Sequence, residues 1–233
     1  MNSIQSILIT GNRKGIGRYL TEFYLDKGYG VYGCSRTKSD LKNKNYSHFE
    51  CDVSRENDVI KTVKAIHKEI DSISVLINNA GIASLNHSVL TPAKTVKKVF
   101  GTNFNGSFYF TRECSKYMMK KNFGRIINFS TVAVPLDLDG EMIYASSKSA
   151  VEKMTKITAK ELAKFNITVN ALGPTPIDTD LTRTVPKNKI DEIIEKHTIK
   201  RLGKMEDISN VIEFFIKKES EFITGQIIYL GGL

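Results

Sequence analysis

A tyrosine and a lysine four residues apart, Tyr144 and Lys148, have the clearest chemical potential in this sequence. They begin a stretch of helical periodicity, so their i, i+4 spacing places both side chains on one helix face. An ammonium group beside a phenol favours the phenolate, and we expect Lys148 to lower the pKa of Tyr144 from its ordinary value of about 10. Tyr144 is therefore a candidate general acid/base. An exposed tyrosine beside a solvated lysine is the alternative that this pair alone leaves open.

Other polar residues occur where they could complete such a site. Ser130 closes a predicted strand ahead of Tyr144, where its hydroxyl could hold a substrate carbonyl oxygen. The run Asn78-Asn79-Ala80-Gly81 ends an earlier predicted strand, where a tight turn would pass beside a bound cofactor. Asn103 lies within a predicted long helix.

A glycine-rich stretch joins the first predicted strand to the first predicted helix. Glycines at this point allow a tight turn and a close approach of the backbone to a pyrophosphate, which the helix N-terminus also attracts. We therefore predict a dinucleotide-binding loop, with a plain strand–helix turn as the alternative. The stretch is Thr10-Gly11-Asn12-Arg13-Lys14-Gly15-Ile16-Gly17.

The end of the second predicted strand indicates which dinucleotide is bound. An acidic residue usually holds the adenosine ribose there, but this chain has Ser35 and Arg36. A serine followed by an arginine can accept a 2′-phosphate, and Arg13 or Lys14 adds positive charge. The sequence predicts NADP(H) rather than NAD(H), unless Arg36 is merely a solvated residue at the strand end.

Apolar runs alternate with longer helical patterns along the whole chain. This alternation predicts an α/β fold, a single Rossmann-like domain over residues 1–233 with a doubly wound parallel sheet and helices on both faces. The predicted strands are Ile4–Thr10, Gly30–Ser35, His48–Val53, Ser74–Asn79, Arg125–Ser130, Ile167–Leu172 and Ile227–Leu230. The predicted helices are Gly15–Lys27, Glu56–Ile70, Pro92 to about Lys121, and Tyr144–Lys164.

Composition excludes several other classes of protein. Apolar residues make up 41% of the 233 residues and charged residues 25%, as in ordinary globular domains. No apolar run is long enough for a membrane span, and the N-terminus lacks a signal-peptide pattern. The 3 cysteines lack metal-binding spacing and fit a reduced, cytoplasmic protein, and the 4 dispersed histidines predict no metal site.

The net charge of +9 is the one unusual number in the composition. An excess of this size is compatible with an acidic partner, such as nucleic acid, a phosphorylated ligand or an acidic carrier protein. We favour lysines spread over solvated helix faces, and the chain carries no recognisable nucleic-acid-binding motif. We therefore expect no nucleic-acid partner.

Taken together, these motifs resemble those of the short-chain dehydrogenase/reductase family over essentially the whole chain. The glycine loop corresponds to Thr10, Gly11, Gly15 and Gly17, and the turn beside the cofactor to Asn79, Ala80 and Gly81. The resemblance also assigns an adenine contact to Asp52-Val53, and contacts with the nicotinamide carboxamide to Pro174, Ile177 and Thr179. The family's catalytic tetrad falls on Asn103, Ser130, Tyr144 and Lys148.

The resemblance implies a mechanism for ketone reduction. Ser130 and Tyr144 would hydrogen-bond the ketone oxygen while the nicotinamide delivers hydride, and Tyr144 would give up its proton. Lys148 would bind the nicotinamide ribose, keep the tyrosine pKa low and join a proton relay near Asn103. Two departures from the family pattern are Thr175, where glycine is usual, and the ending Tyr229-Leu230-Gly231-Gly232.

Within the family, the chain is similar to 3-oxoacyl-acyl-carrier-protein reductases. Those enzymes dock their carrier through two arginines, whose positions hold Asn122 and Phe165 here, although the neighbouring Lys120, Lys121 and Lys164 could substitute. A basic substrate lid over Asp178–Lys204 would also suit a phosphate-bearing substrate, with a solvated amphipathic helix that turns Ile190, Ile193 and Ile194 inward as the alternative. The substrate is therefore a small-molecule or carrier-bound ketone, with a sugar or other polar ketone of surface-polysaccharide metabolism as one alternative. The other alternative is a protein that binds NADP(H) as a redox sensor or scaffold without catalysing a reaction. The resemblance also implies a homotetramer or homodimer.

Overall fold

The computed structural model describes residues 6–179 and 182–233. Its centre is a parallel sheet of seven strands in the order β3-β2-β1-β4-β5-β6-β7. Since the chain builds outward from β1 in both directions, the sheet is doubly wound, as predicted. The strands are β1 Ser6–Thr10, β2 Gly30–Ser35, β3 Tyr46–Glu50, β4 Val75–Asn78, β5 Gly124–Phe129, β6 Ile167–Gly173 and β7 Ile227–Tyr229.

Eight α-helices occur in the described residues and cover both faces of the sheet. They are α1 Gly15–Asp26, α2 Glu56–Glu69, α3 Ala93–Phe100, α4 Gly106–Lys121, α5 Ala133–Leu136, α6 Met142–Leu162, α7 Lys187–Glu195 and α8 Met205–Ile216. None of the helices described is long and apolar enough to cross a membrane.

Alternation of apolar residues along each strand divides the core into two layers, because successive side chains point to opposite faces. Ile7 and Ile9 of β1 pack in the layer that contains residues of α1 and α8, such as Leu20 and Phe215. Leu8 lies between them in sequence and belongs to the opposite layer, with residues of α2 and α4. The continuous apolar strands are therefore buried on both faces, as parallel strands between helices require.

The structure differs from the predicted elements in three places. Strand β3 begins at Tyr46 and ends at Glu50, so Asp52 and Val53 lie in the connection that follows it. Helices α5 and α8 have no counterpart among the predicted helices, and α7 lies within the predicted lid. The predicted long helix is divided into α3 and α4 by a π-helical turn, Gly101–Asn105. Residues 4 and 5 of the first predicted strand lie outside the described residues.

Candidate functional site

A cleft of about 720 Å³ lies at the carboxyl edge of the sheet, where β1 and β4 are neighbours and their connections leave in opposite directions. Open α/β sheets bind ligands at this point. The volume lies within the range of about 300–1,000 Å³ that is typical of small-molecule and cofactor sites. Of the predicted site residues, the cleft is lined by Gly11, Arg13, Lys14, Gly15, Ile16, Ser35, Arg36, Asp52, Val53, Asn79, Ala80, Gly81, Ser130, Tyr144, Lys148, Pro174 and Thr179.

The glycine loop at the floor of the cleft is packed closely against the turn after β4. Gly11 has a φ of +68°, and a Cβ there would lie 2.8 Å from the Cα of Ala80. Only glycine fits both the left-handed backbone and this close approach. The Thr10 hydroxyl accepts a hydrogen bond from the Ala80 amide at 3.0 Å, and the Asn79 side chain donates to the Thr10 carbonyl at 2.9 Å. Thr10 and Asn79 therefore hold the two loops together.

Two residues of the predicted loop, Asn12 and Gly17, lie behind the cleft and do not line it. The Asn12 side chain is fully buried and donates to the Tyr46 hydroxyl at 2.5 Å. Gly17 lies in the first turn of α1, where a Cβ would overlap the Gly11 carbonyl oxygen. Neither residue lines the cleft, so both support the loop from beneath.

The end of the cleft beyond β2 carries positive charge. Arg36 is exposed and lines the cleft, whereas the Ser35 hydroxyl donates to the Thr37 carbonyl at 2.6 Å. Although burial raises the pKa of the Asp52 carboxyl, hydrogen bonds from Ser54 and the charges of Arg55 and Arg36 hold it below its ordinary value. Asp52 is therefore an ionised acceptor at neutral pH.

Ser130, Tyr144 and Lys148 meet at the other end of the cleft. Ser130 follows β5 directly, and both other residues project from the first two turns of α6. The Lys148 side chain is only 4% exposed and donates from Nζ to the carbonyl of Phe129 at 2.7 Å. Packing of α6 against the end of β5 therefore brings the three residues together, as their order in the sequence predicts.

Asn103 lies in the π-helical turn, behind this group. It is fully buried; its Oδ1 accepts from the Ile82 amide at 2.9 Å, and its Nδ2 donates to the Ile82 carbonyl at 3.0 Å. It also donates to the Ser147 hydroxyl at 2.9 Å. These bonds join the π-helical turn to α6 and to the segment after Gly81, and the proton relay remains a prediction.

The predicted effect of Lys148 on Tyr144 is wrong for this structure. Burial raises the pKa of Tyr144 to about 12, against a hydrogen bond with Thr131 that lowers it. Burial also lowers the pKa of Lys148 to about 8. Removal from water disfavours both the phenolate and the ammonium, and the lysine directs its donor at the Phe129 carbonyl. Tyr144 therefore keeps its proton at neutral pH.

We expect Lys148→Met to raise the free energy of unfolding at pH 7. The folded chain holds Lys148 at a pKa of about 8, against 10.5 for the ordinary group, so below pH 8 a buried charge destabilises the fold. That difference corresponds to about 3 kcal/mol, and loss of the bond to Phe129 offsets about 1 kcal/mol of it. Denaturant unfolding curves at pH values from 6 to 10.5 should show that the variant has the higher free energy of unfolding and that its advantage over the unaltered protein decreases above pH 8. The exposed Lys156→Met is the matched control, and a constant difference across this range would contradict the assignment.

The segment after β6 closes one side of the cleft. Pro174 and Thr179 line it, and Thr179 lies beside Gly15 of the glycine loop, 3.9 Å from the position of a Cβ there. Ile177 is 4% exposed and forms a parallel bridge with Gly203, so its side chain packs in the core and only its backbone remains for a ligand. The Thr175 methyl group packs against the same glycine, which explains how a side chain larger than glycine is accommodated.

The ends of the predicted lid, Asp178–Lys204, are held together by this bridge. Between them lies α7, whose Ile193 is buried. Several of the basic residues pair with carboxylates: Arg183 with Asp178 at 2.9 Å and Lys189 with Glu192 at 3.1 Å. Asp180, another residue of this segment, lies outside the described residues.

Sequence reasoning missed a buried carboxylate that contacts Ser130. Glu152 of α6 accepts hydrogen bonds from the hydroxyls of Ser130 and of Tyr229 in β7. Burial, together with the Glu152 carboxylate, raises the pKa of Tyr229, which therefore remains a donor. A glutamate among the apolar residues Val151 and Met154 is the signal that could have identified it. Lys97 and Lys98 of α3, which also line the cleft, carried no comparable signal.

Known proteins match this chain over nearly its full length. A family model described as enoyl-(acyl carrier protein) reductase matches residues 11–232. The 3-oxoacyl-[acyl-carrier-protein] reductase FabG of Staphylococcus epidermidis is 31% identical over 98% of this chain and 98% of its own. The ligand-free aldohexose dehydrogenase of Thermoplasma acidophilum is 31% identical, with a TM-score of 0.89 over 98% of this chain and 93% of its own.

A further solved structure, ElxO with NADP bound, is 29% identical, with a TM-score of 0.89 over 98% of this chain and 97% of its own. The relatives therefore share the arrangement of strands and helices that forms the cleft, as well as the motifs along the sequence. The chain belongs to the short-chain dehydrogenase/reductase family and is an oxidoreductase.

Proposed function

We propose that this protein reduces a ketone to a secondary alcohol with NADPH. The observation that carries the proposal is a single cleft with Arg13, Lys14 and Arg36 at one end and Tyr144 and Lys148 at the other. Basic side chains suit the phosphates of a dinucleotide, and a half-buried phenol that keeps its proton at neutral pH suits proton transfer to a ligand.

The residues of the cleft fit an extended dinucleotide. Gly11 lets the loop backbone lie close to Ala80. Arg13 and Lys14 of the same loop line the cleft, and the N-terminus of α1 adds positive potential for a pyrophosphate. Arg36 would bind a 2′-phosphate, and Asp52 would accept from the adenine amino group. Pro174, Ile177 and Thr179 would contact the carboxamide of the nicotinamide. ElxO, a relative whose solved structure has NADP bound, supports the choice of NADP(H).

The catalytic proposal assigns a separate task to each residue. A bound nicotinamide supplies the hydride to the carbonyl carbon. Tyr144 is protonated at neutral pH because its pKa is about 12, and it donates this proton to the ketone oxygen as negative charge develops there. Ser130 holds the same oxygen. Lys148, whose pKa is about 8, is charged at pH 7 and would bind the ribose, while Asn103 fixes the turn that supports them.

A 3-oxoacyl thioester on an acyl carrier is the substrate that we favour. Leu85 and Met142 are 44% and 47% exposed, Leu85 lies against Gly140, and Met142 begins the helix that carries Tyr144, so the segments that flank Tyr144 expose an apolar surface outside the cleft itself. An acyl chain would bury that surface. The FabG relative supports the same class by name.

A sugar or other polar ketone is the second candidate. The aldohexose dehydrogenase of Thermoplasma acidophilum has the same 31% identity as the FabG relative, so identity does not decide between them. A phosphorylated sugar would require uncompensated positive charge in the lid. The ion pairs of Arg183 and Lys189, as well as that of Arg201 with Asp207 at 2.7 Å, reduce this charge and favour the acyl substrate.

The test is a substrate panel with purified protein. NADPH and NADH are each supplied with an acetoacetyl thioester, simple ketones and keto sugars, while the absorbance of the reduced cofactor is followed. We expect the largest kcat/KM with NADPH and the thioester. Activity on a keto sugar alone would assign the second candidate, and binding of NADPH without turnover of any ketone would support a sensor or scaffold.

We also propose that the protein works in the cytoplasm as a homotetramer or homodimer. Three buried, unpaired cysteines and the full-length likeness to FabG support this setting. Light scattering on the purified protein measures the assembly, and a monomer at micromolar concentration would contradict it.

A further inference from the structure

Glu152 occupies a position that joins three elements at the carboxyl edge of the sheet. It projects from α6 one turn beyond Lys148, and it is 9% exposed. The hydroxyl of Ser130, which follows β5, donates to its Oε1, and the hydroxyl of Tyr229, at the end of β7, donates to the same oxygen at 2.6 Å. The carboxylate therefore spans β6 and links a residue of the cleft to the C-terminal strand.

The surrounding backbone is shaped for this arrangement. Gly173 of β6 is paired in register with Tyr229, and a Cβ on this glycine would overlap the tyrosine ring. The Ser130 amide donates to the Leu172 carbonyl at 2.7 Å, which fixes the backbone on the other side. Because β6 has a glycine at this position, the Tyr229 ring can pass close to its backbone, and the hydroxyl reaches the Glu152 carboxylate.

The hydrogen bond to Glu152 determines which way the Ser130 hydroxyl points its proton. An ionised glutamate has only acceptors, whereas a serine hydroxyl has one proton and two lone pairs. While the Ser130 proton is on Glu152, the serine presents lone pairs to the cleft. To hold a ketone oxygen, it must turn that proton away from Glu152. Tyr229 still donates to the buried carboxylate when Ser130 has turned away. Without Tyr229, the carboxylate would then have no hydroxyl donor among the described residues, which would cost about 1–3 kcal/mol or more.

We propose that Glu152 and Tyr229 are positioning residues for Ser130. They hold the serine hydroxyl in one rotamer at the cleft: Glu152 accepts the hydrogen bond of Ser130 whenever the ligand does not, and Tyr229 fixes the carboxylate by donating to it. This inference rests on the proposed reductase function. Burying a carboxylate costs free energy, which favours a role in the site over a role in folding stability.

Isosteric variants at position 152 test the inference. Glu152→Met keeps the volume and removes the acceptor, so we expect kcat for the thioester to fall about 10-fold while the Kd for NADPH changes less than 2-fold. Glu152→Gln keeps an acceptor oxygen and should recover most of kcat. Glu161→Met, on the exposed side of the same helix, is the matched control and should leave both quantities unchanged.

A double-variant cycle separates positioning from a general structural role. If Glu152 acts through Ser130, Glu152→Met should lower kcat no further once Ser130→Ala is present. A second 10-fold loss in the double variant, or full kcat in Glu152→Met, would overturn the inference. If the unaltered protein binds NADPH but reduces no ketone, the proposed function fails by itself. The same cycle is then measured by thermal unfolding, where additive losses of Tm for Ser130→Ala and Glu152→Met would overturn the inference.

Discussion

Tyr144→Phe is expected to lower kcat for ketone reduction by about 1,000-fold, because it removes the proton that the developing alkoxide must receive. The substitution deletes one oxygen and leaves the ring in place. We therefore expect the Kd for NADPH and the melting temperature to remain close to those of the unaltered protein. Single-turnover absorbance measurements, with fluorescence titration of NADPH, separate loss of chemistry from loss of binding.

Tyr29→Phe is the matched control for this substitution. Tyr29 immediately precedes β2, at the amino edge of the sheet, and packs edge-on against Tyr24 at a centroid distance of 5.4 Å. It should retain full activity. A Tyr144→Phe protein with more than about a tenth of the original kcat would contradict the general-acid role, because that role supplies at least a 100-fold effect.

Much of the fold could be predicted because the core obeys simple periodicity. Ile7, Leu8 and Ile9 form a continuous apolar run, and the structure buries it between two helical layers. Lys148 follows the same logic, since one helix carries it and Tyr144 to the end of β5. Local spacing therefore predicted the elements and the common location of Tyr144 and Lys148 on one of them.

Properties that depend on long-range packing could not be predicted in this way. The π-helical turn around Asn103 has no periodic signal, because one extra residue per turn is fixed by contacts with Ile82. Spacing places Lys148 near Tyr144, but the pKa of the phenol depends on how much water the surrounding elements exclude. Glu152 meets both Ser130 and Tyr229 only when α6 has packed against β5 and β7, the last strand of the chain, has joined the sheet.

The structure shows that only part of the net charge of +9 lies at the cleft. Lid residues such as Arg183 and Arg201 form surface ion pairs, which contribute little stability and leave little local excess of charge. The positive side chains that line the cleft have a different consequence. They lie where a dinucleotide would place its phosphates, so the effect of charge should be measured on cofactor choice.

Arg36→Ala is expected to raise the KM for NADPH by about 10- to 100-fold and to leave the KM for NADH within about 2-fold. Hydrogen bonds to a charged group contribute about 1.5–3 kcal/mol, which gives this range. Arg36 is the informative position because Ser35 directs its proton at the Thr37 carbonyl, while Arg36 is exposed at the cleft. The ratio of kcat/KM for the two cofactors measures the effect, with the exposed Lys44→Ala as the control. Equal losses with NADPH and NADH would mean that Arg36 supports the adenosine or the loop, because only the 2′-phosphate distinguishes the two cofactors.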